Sequence, residues 1–216
     1  NFETTVQHTT LAMERFAVAQ IKFDIKETKE ECRKMLVLPL DKKIVLYTGH
    51  LYSWKGVDTL ARASEYLPKD VDIYFVGGTM EDKKKFEIRN LKLEINVVGH
   101  RPHSEIPSWL KAVDVLVLPN SGKEEISRYW TSPLKMFEYM AAKKPIVASN
   151  LPSIREILNE ENAVLVNPDS PQSLSAGILK ILQNPKFSDK ISSRAFKDVK
   201  QYSWEERVRK ICQKLF

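Results

Sequence analysis

Lys55 stands where a cation is electrostatically out of place. The amino end of a helix carries partial positive charge, so it disfavours a cation and favours an anion. In Gly49-His50-Leu51-Tyr52-Ser53-Trp54-Lys55-Gly56 the lysine falls just ahead of the helical period that begins at Val57. A bound anion would offset the cost; the alternative is an exposed lysine that simply tolerates it. A second helix start, Ser132-Pro133-Leu134-Lys135-Met136-Phe137-Glu138-Tyr139-Met140, has the residues of an anion cradle. Ser132 is a good N-cap and Pro133 suits the first helical position, which leaves the N–H groups of Leu134 and Lys135 free. Glu138 interrupts the apolar stripe of the same helix. A carboxylate there needs donors, and sugar hydroxyls can supply them. The alternative is a pair between Lys135 and Glu138 on a solvated face.

These residues need elements to bring them together. Six short apolar runs read as strands: Ile44–Thr48, Ile73–Val76, Ile95–Val98, Val113–Leu118, Pro145–Ala148 and Ala163–Val166. They lack polar alternation, so both faces should be buried, as in a parallel sheet. Segments of helical period lie between and after them: Val57–Leu67, Glu81–Leu93, Ser104–Ala112, Pro133–Ala142, Ser153–Asn159 and Pro171–Gln183. Strand and helix alternate, which predicts an α/β fold. Lys26 to Leu36 reads as a further helix with Cys32, Met35 and Leu36 on one face. Lys186 to Phe216 reads as two closing helices with Trp204 at a buried hinge.

An open parallel sheet binds ligands outside the carboxyl ends of its strands. Gly49 follows the first strand, Gly77 and Gly78 the second, and Gly99 the third. Four of the chain's seven glycines therefore fall where a ligand would approach the backbone, which suggests a crevice. The two familiar phosphate loops, G-x-G-x-x-G and G-x-x-x-x-G-K-[ST], are absent, which argues against a dinucleotide dehydrogenase and a P-loop NTPase.

Composition narrows the field further. The 216 residues are 43% hydrophobic and 29% charged, a globular balance that excludes disordered and fibrous classes. The net charge of +6 is interleaved with acids, as in Glu81-Asp82-Lys83-Lys84-Lys85, so it reads as solvated helix faces rather than a nucleic-acid surface. Two distant cysteines, Cys32 and Cys212, exclude a disulfide scaffold and suit a reducing compartment. His100 and His103 have no metal-ligand companions, so no metal site is expected. The chain opens at Asn1 with neither an initiator methionine nor a signal-peptide core. It is expected to be a piece of a longer protein.

Several of these segments are recognisable. The run Gly49–Gly56 resembles the opening of the C-terminal domain of the family 4, or group 1, glycosyltransferases of the GT-B fold. So does Val98-Gly99-His100-Arg101-Pro102, followed by Ile106-Pro107 and Ala112 to Pro119. The strongest match is Ser132 to Ala142, continuing through Lys144-Pro145-Ile146-Val147-Ala148-Ser149, Ile154-Arg155-Glu156-Ile157 and Ala163 to Val166. The resemblance implies a Rossmann-like three-layer sandwich with a mostly parallel six-stranded sheet, one half of a GT-B fold. Residues 24–216 would be the C-terminal nucleotide-sugar-binding domain, and 1–23 an interdomain linker or its remnant.

The function implied is the donor domain of a retaining glycosyltransferase, acting in polysaccharide biosynthesis on a glycan or lipid-linked acceptor. Lys55, with His50, Ser132, Leu134 and Lys135, would hold the donor diphosphate. Glu138 would accept hydrogen bonds from the ribose, and Arg101 and His103 would contact the base. No cofactor or metal is implied, and no nucleic acid. The partners are a nucleotide diphosphate sugar and a missing N-terminal GT-B domain that carries the acceptor side, so the chain alone would be inactive. The implied location is cytoplasmic, peripheral at the inner membrane face in the full-length protein.

The pattern departs from the family at two positions. His50 stands where the family often has arginine, and Trp130 where it usually has a second glutamate eight positions before the one at Glu138. A GT-B nucleotide-sugar epimerase domain and a degenerate partner-binding module are the alternatives.

Overall fold

The computed structural model describes residues 25–131 and 133–202. The expectations for the first 24 residues, Ser132, Trp204 and Cys212 fall outside that set. Six strands, β1 (Lys43–Thr48), β2 (Val71–Val76), β3 (Asn96–Gly99), β4 (Val115–Leu118), β5 (Ile146–Ser149) and β6 (Val164–Val166), form one sheet. Its order is β3-β2-β1-β4-β5-β6 and every pairing is parallel, so the expected mostly parallel sheet is parallel throughout. The order reverses between β1 and β4, which makes their carboxyl ends the switch point where ligands bind in such sheets.

Alternate strand residues feed two cores, one on each face of the sheet. Ile44, Leu46, Leu116, Leu118 and Ile146 belong to one; Val45, Tyr47, Val115, Val117 and Val147 belong to the other. The second core is completed by α2 (Val57–Ala63), α3 (Met80–Arg89) and α8 (Pro171–Leu182), through Leu60, Phe86 and Ile178. The first is completed by α1 (Lys29–Met35), α4 (Ile106–Ala112), α6 (Leu134–Ala141) and α7 (Pro152–Arg155), through Cys32, Leu110, Tyr139 and Ile154. A strand buried on both faces needs apolar residues at successive positions, which is why these runs show no alternation. Helix α9 (Pro185–Asp198) closes the chain onto both cores, through Ile191 and Ala195. Among the described residues, no helix is long and apolar enough to cross a membrane.

Four sequence expectations need correction. Met35 is 57% exposed and does not share the buried face of Cys32. Arg33 takes that place: its guanidinium donates to the Ala112 carbonyl at 2.8 Å and to Asp114 at 2.7 Å, so a charged side chain is buried because it is paired. The helix expected over Ser153–Asn159 stops at Arg155. Pro133 is the N-cap of α6 rather than its first helical residue, because its ψ of 118° is still extended. A short helix between β4 and α6, α5 (Glu125–Tyr129), was not expected at all. Its five residues are too few to show a helical period.

Candidate functional site

The crevice is assembled from the carboxyl ends of neighbouring strands. Gly49 N–H donates to the Val76 carbonyl at 2.8 Å, and Gly77 N–H to the Gly99 carbonyl at 2.7 Å, so the ends of β1, β2 and β3 are laced together. Gly77 has φ of 127°, and a Cβ there would sit 2.4 Å from the Gly49 carbonyl oxygen. Only glycine permits that conformation and that approach. Gly78 follows with φ of 78°, turning the chain into α3.

Lys55 enters from the β1–α2 side. It ends a single 3-10 turn, Ser53–Lys55, and Gly56 then caps the turn in the left-handed region. A Cβ on Gly56 would lie 1.8 Å from the Pro119 carbonyl oxygen, so glycine lets this loop pack onto the end of β4. The Lys55 ammonium lies 3.8 Å from the centre of the Trp54 ring. Burial lowers its pKa to about 8, and among the described residues no carboxylate pairs with it. A partly buried cation at a strand end, with no carboxylate partner among the described residues, is the arrangement expected of an anion site.

The facing wall is the amino end of α6. Among the described residues, no side chain caps it and no acceptor for the Leu134 and Lys135 amides is found outside the helix. The Lys135 side chain does not pair with Glu138. Its ammonium donates to the Thr48 carbonyl at 2.8 Å and lies 3.6 Å from the centre of the Tyr47 ring. Burial, together with the nearby Lys55 charge, pushes its pKa well below the ordinary lysine value. The i,i+3 pair between Lys135 and Glu138 is therefore not formed.

Glu138 pairs instead with His103, from the 3-10 turn His103–Glu105 after β3, at 3.2 Å between Oε1 and Nε2. The two residues expected at ribose and base thus meet on one side of the crevice. Arg101 stands beside them, exposed and 4.0 Å from Glu105. His50 is exposed at the opposite rim, its ring stacked on Tyr52 at 5.0 Å and its Nδ1 3.9 Å from Asp82. The side chain of Trp130, at the carboxyl end of α5, faces solvent; the residue is 79% exposed.

Three residues at the site escaped sequence reasoning. Tyr139 is fully buried and its hydroxyl accepts from Thr48 N–H at 2.8 Å and contacts Thr48 Oγ1 at 3.0 Å. Asn120, just beyond β4, is fully buried with neither end of its amide paired among the described residues. The signal for Asn120 was present, a polar residue closing the run Val115-Leu116-Val117-Leu118-Pro119. For Thr48 and Tyr139 only the fold could supply it, since they are 91 positions apart. Among the described residues no three His, Cys, Asp or Glu side chains converge as metal ligands.

The all-parallel sheet with helices on both faces is of the Rossmann-like α/β class, in which ligands bind at the switch point and anions at helix amino ends. The particular family follows from comparison: the profile of the group 1 glycosyl transferases matches residues 28–198, and the chain belongs to that family. A Bacillus subtilis (strain 168) protein assigned as the teichuronic acid biosynthesis glycosyltransferase TuaC is 30% identical over 155 residues, covering 72% of this chain and 37% of the relative. An uncharacterized glycosyltransferase of Methanocaldococcus jannaschii is 29% identical over 197 residues, covering 85% of this chain and 48% of the relative. The chain thus spans half or less of the length of these relatives. Among solved structures, the C-terminal domain of a group 1 glycosyl transferase, LpcC from Francisella tularensis, superposes with a TM-score of 0.68. Its identity is 24%, over 86% of this chain and 98% of that domain. Anabaena HepE, solved with UDP and glucose, gives a TM-score of 0.71 at 20% identity, over 87% of this chain and 51% of HepE. These two likenesses establish the shared fold, the Rossmann-like half of a GT-B architecture.

Proposed function

We propose that this chain is the donor-binding half of a retaining glycosyltransferase, and that its crevice holds a nucleotide diphosphate sugar. One observation carries the reading: the Lys55 charge acts on Lys135 at the amino end of α6, where the Leu134 and Lys135 amides open the helix, and no carboxylate among the described residues pairs with Lys55. A diphosphate supplies the missing negative charge. During transfer it leaves with that charge increasing, and positive groups fixed in advance stabilise the change without reorganising. Lys55 and the α6 amides hold the leaving group. Glu138 holds the ribose hydroxyls, while His103 and Arg101 flank the base. HepE was solved with UDP and with UDP-glucose, which makes uridine diphosphate the first ligand to test.

Transfer further requires an acceptor hydroxyl held close to the anomeric carbon in a water-poor cleft. In our reading a preceding domain supplies that side, with a glycan or lipid-linked acceptor. The chain alone then binds donor and transfers nothing; adding the preceding domain restores turnover. The test is release of free nucleotide diphosphate, measured with and without that domain over an acceptor panel. Acceptor-dependent turnover by residues 1–216 alone would overturn the division of labour.

A further inference from the structure

The chemistry of Lys135 is not that of an ordinary surface lysine or of a direct phosphate ligand. Its ammonium is threaded inward, between the Thr48 carbonyl at 2.8 Å and the Tyr47 ring at 3.6 Å. It also lies against the backbone of Gly49, where an added Cβ would meet Nζ at 3.3 Å. Tyr139, one helical turn further along α6, takes the other groups of Thr48, its N–H and its hydroxyl. Thr48 is thus gripped through both its carbonyl and its amide by one face of one helix. We propose that Lys135 is a positioning residue for the diphosphate: it clamps the amino end of α6 to the carboxyl end of β1 and sets a buried positive charge behind the Gly49 backbone. This rests on the donor-binding reading above.

The clamp joins the two halves of the anion cradle. The β1–α2 loop carries Lys55, α6 carries the free amides, and the Lys135–Thr48 bond fixes their separation. The groups facing the Lys135 ammonium are few. Tyr47 and Thr48 come from β1, Lys55 from the β1–α2 loop, and Glu138 and Tyr139 from α6 itself. Among the described residues that act on it, Glu138 alone is acidic, and its carboxylate also faces His103. Two lysines close together in a partly buried site repel each other until an anion arrives. Diphosphate binding therefore draws a proton into the site, and affinity falls as pH rises and the lysines deprotonate.

The test compares wild type with Lys135→Met and Lys135→Arg. Binding of UDP and of uridine is measured by titration calorimetry from pH 6.5 to 9.5, in buffers of different ionisation heat. Wild type should take up protons on binding UDP. Lys135→Met should bind UDP about tenfold more weakly at neutral pH, with a flatter pH profile and unchanged uridine binding. Lys135→Arg, which cannot lose its charge, should recover most of the affinity and also flatten the profile. Equal UDP affinity and an equal pH profile in wild type and Lys135→Met would overturn the proposal while leaving the donor site intact. GDP and ADP replace UDP in the same titrations if UDP does not bind, and failure of wild type to bind any of the three would remove the reading on which the proposal rests. Carbon-13 NMR of the lysine Cε groups in wild type needs no variant to fold. Besides Lys55 and Lys144, it should show a third lysine titrating well below the ordinary lysine value, with its titration displaced upward by UDP. Finding no lowered lysine beyond Lys55 and Lys144 would overturn the proposal.

Discussion

Glu138 and His103 meet at 3.2 Å on one side of the crevice, one from helix α6 and the other from the turn after β3. The contact ties the ribose side of the proposed donor site to its base side. A carboxylate offers two oxygens, so one can face the imidazole while the other accepts from a ligand hydroxyl. Glu138→Gln should weaken UDP more than 2′-deoxy-UDP, because an amide has only one accepting end. Titration calorimetry with the two nucleotides makes the comparison. Equal losses would assign Glu138 a structural role in holding His103.

Lys55→Ala should weaken UDP by about 1.5–3 kcal/mol, the range for a hydrogen bond to a charged group, and leave uridine nearly unchanged. The same titration reads both ligands. An equal loss for uridine would mean that the variant has disturbed the Trp54 loop rather than removed a phosphate contact.

Lys144 provides a pH test of stability away from the crevice. It precedes β5, donates to the Val113 carbonyl at 2.8 Å, and burial, with Lys29 nearby, lowers its pKa from 10.5 to about 8. The unfolded chain keeps this proton up to about 10.5, whereas the folded chain releases it near 8. Between those values the unfolded state binds more protons, so stability rises with pH. Relative to Lys144→Met, wild type should gain stability from about pH 8 to 10.5 in urea unfolding curves. Parallel pH profiles for the two proteins would contradict the shift.

The strands were legible because burial on both faces leaves an unmistakable apolar run, and all six fall within two residues of where the sequence put them. The helices were less so at their ends. Arg155 ends α7 early, and Pro133 caps α6 rather than opening it. Such boundaries depend on a few backbone angles that composition does not determine. At the site, residue type located Lys55, the glycines and Glu138. Their partners were hidden. Local spacing offered Lys135 as a mate for Glu138, but the helix turns Lys135 toward Thr48, 87 positions away, and His103 reaches Glu138 from 35 positions away. Charge pairing across a fold follows topology, which short-range spacing cannot report.

The most direct measurement is titration of residues 1–216 with UDP, GDP, ADP, their sugar conjugates and the free nucleosides. We expect one nucleoside diphosphate and its sugar to bind at one site per chain, with the matching nucleoside far weaker, since the diphosphate carries the contacts to Lys55 and the α6 amides. Binding of none of them, or equal binding of nucleoside and diphosphate, would contradict the assignment of this crevice as a donor site.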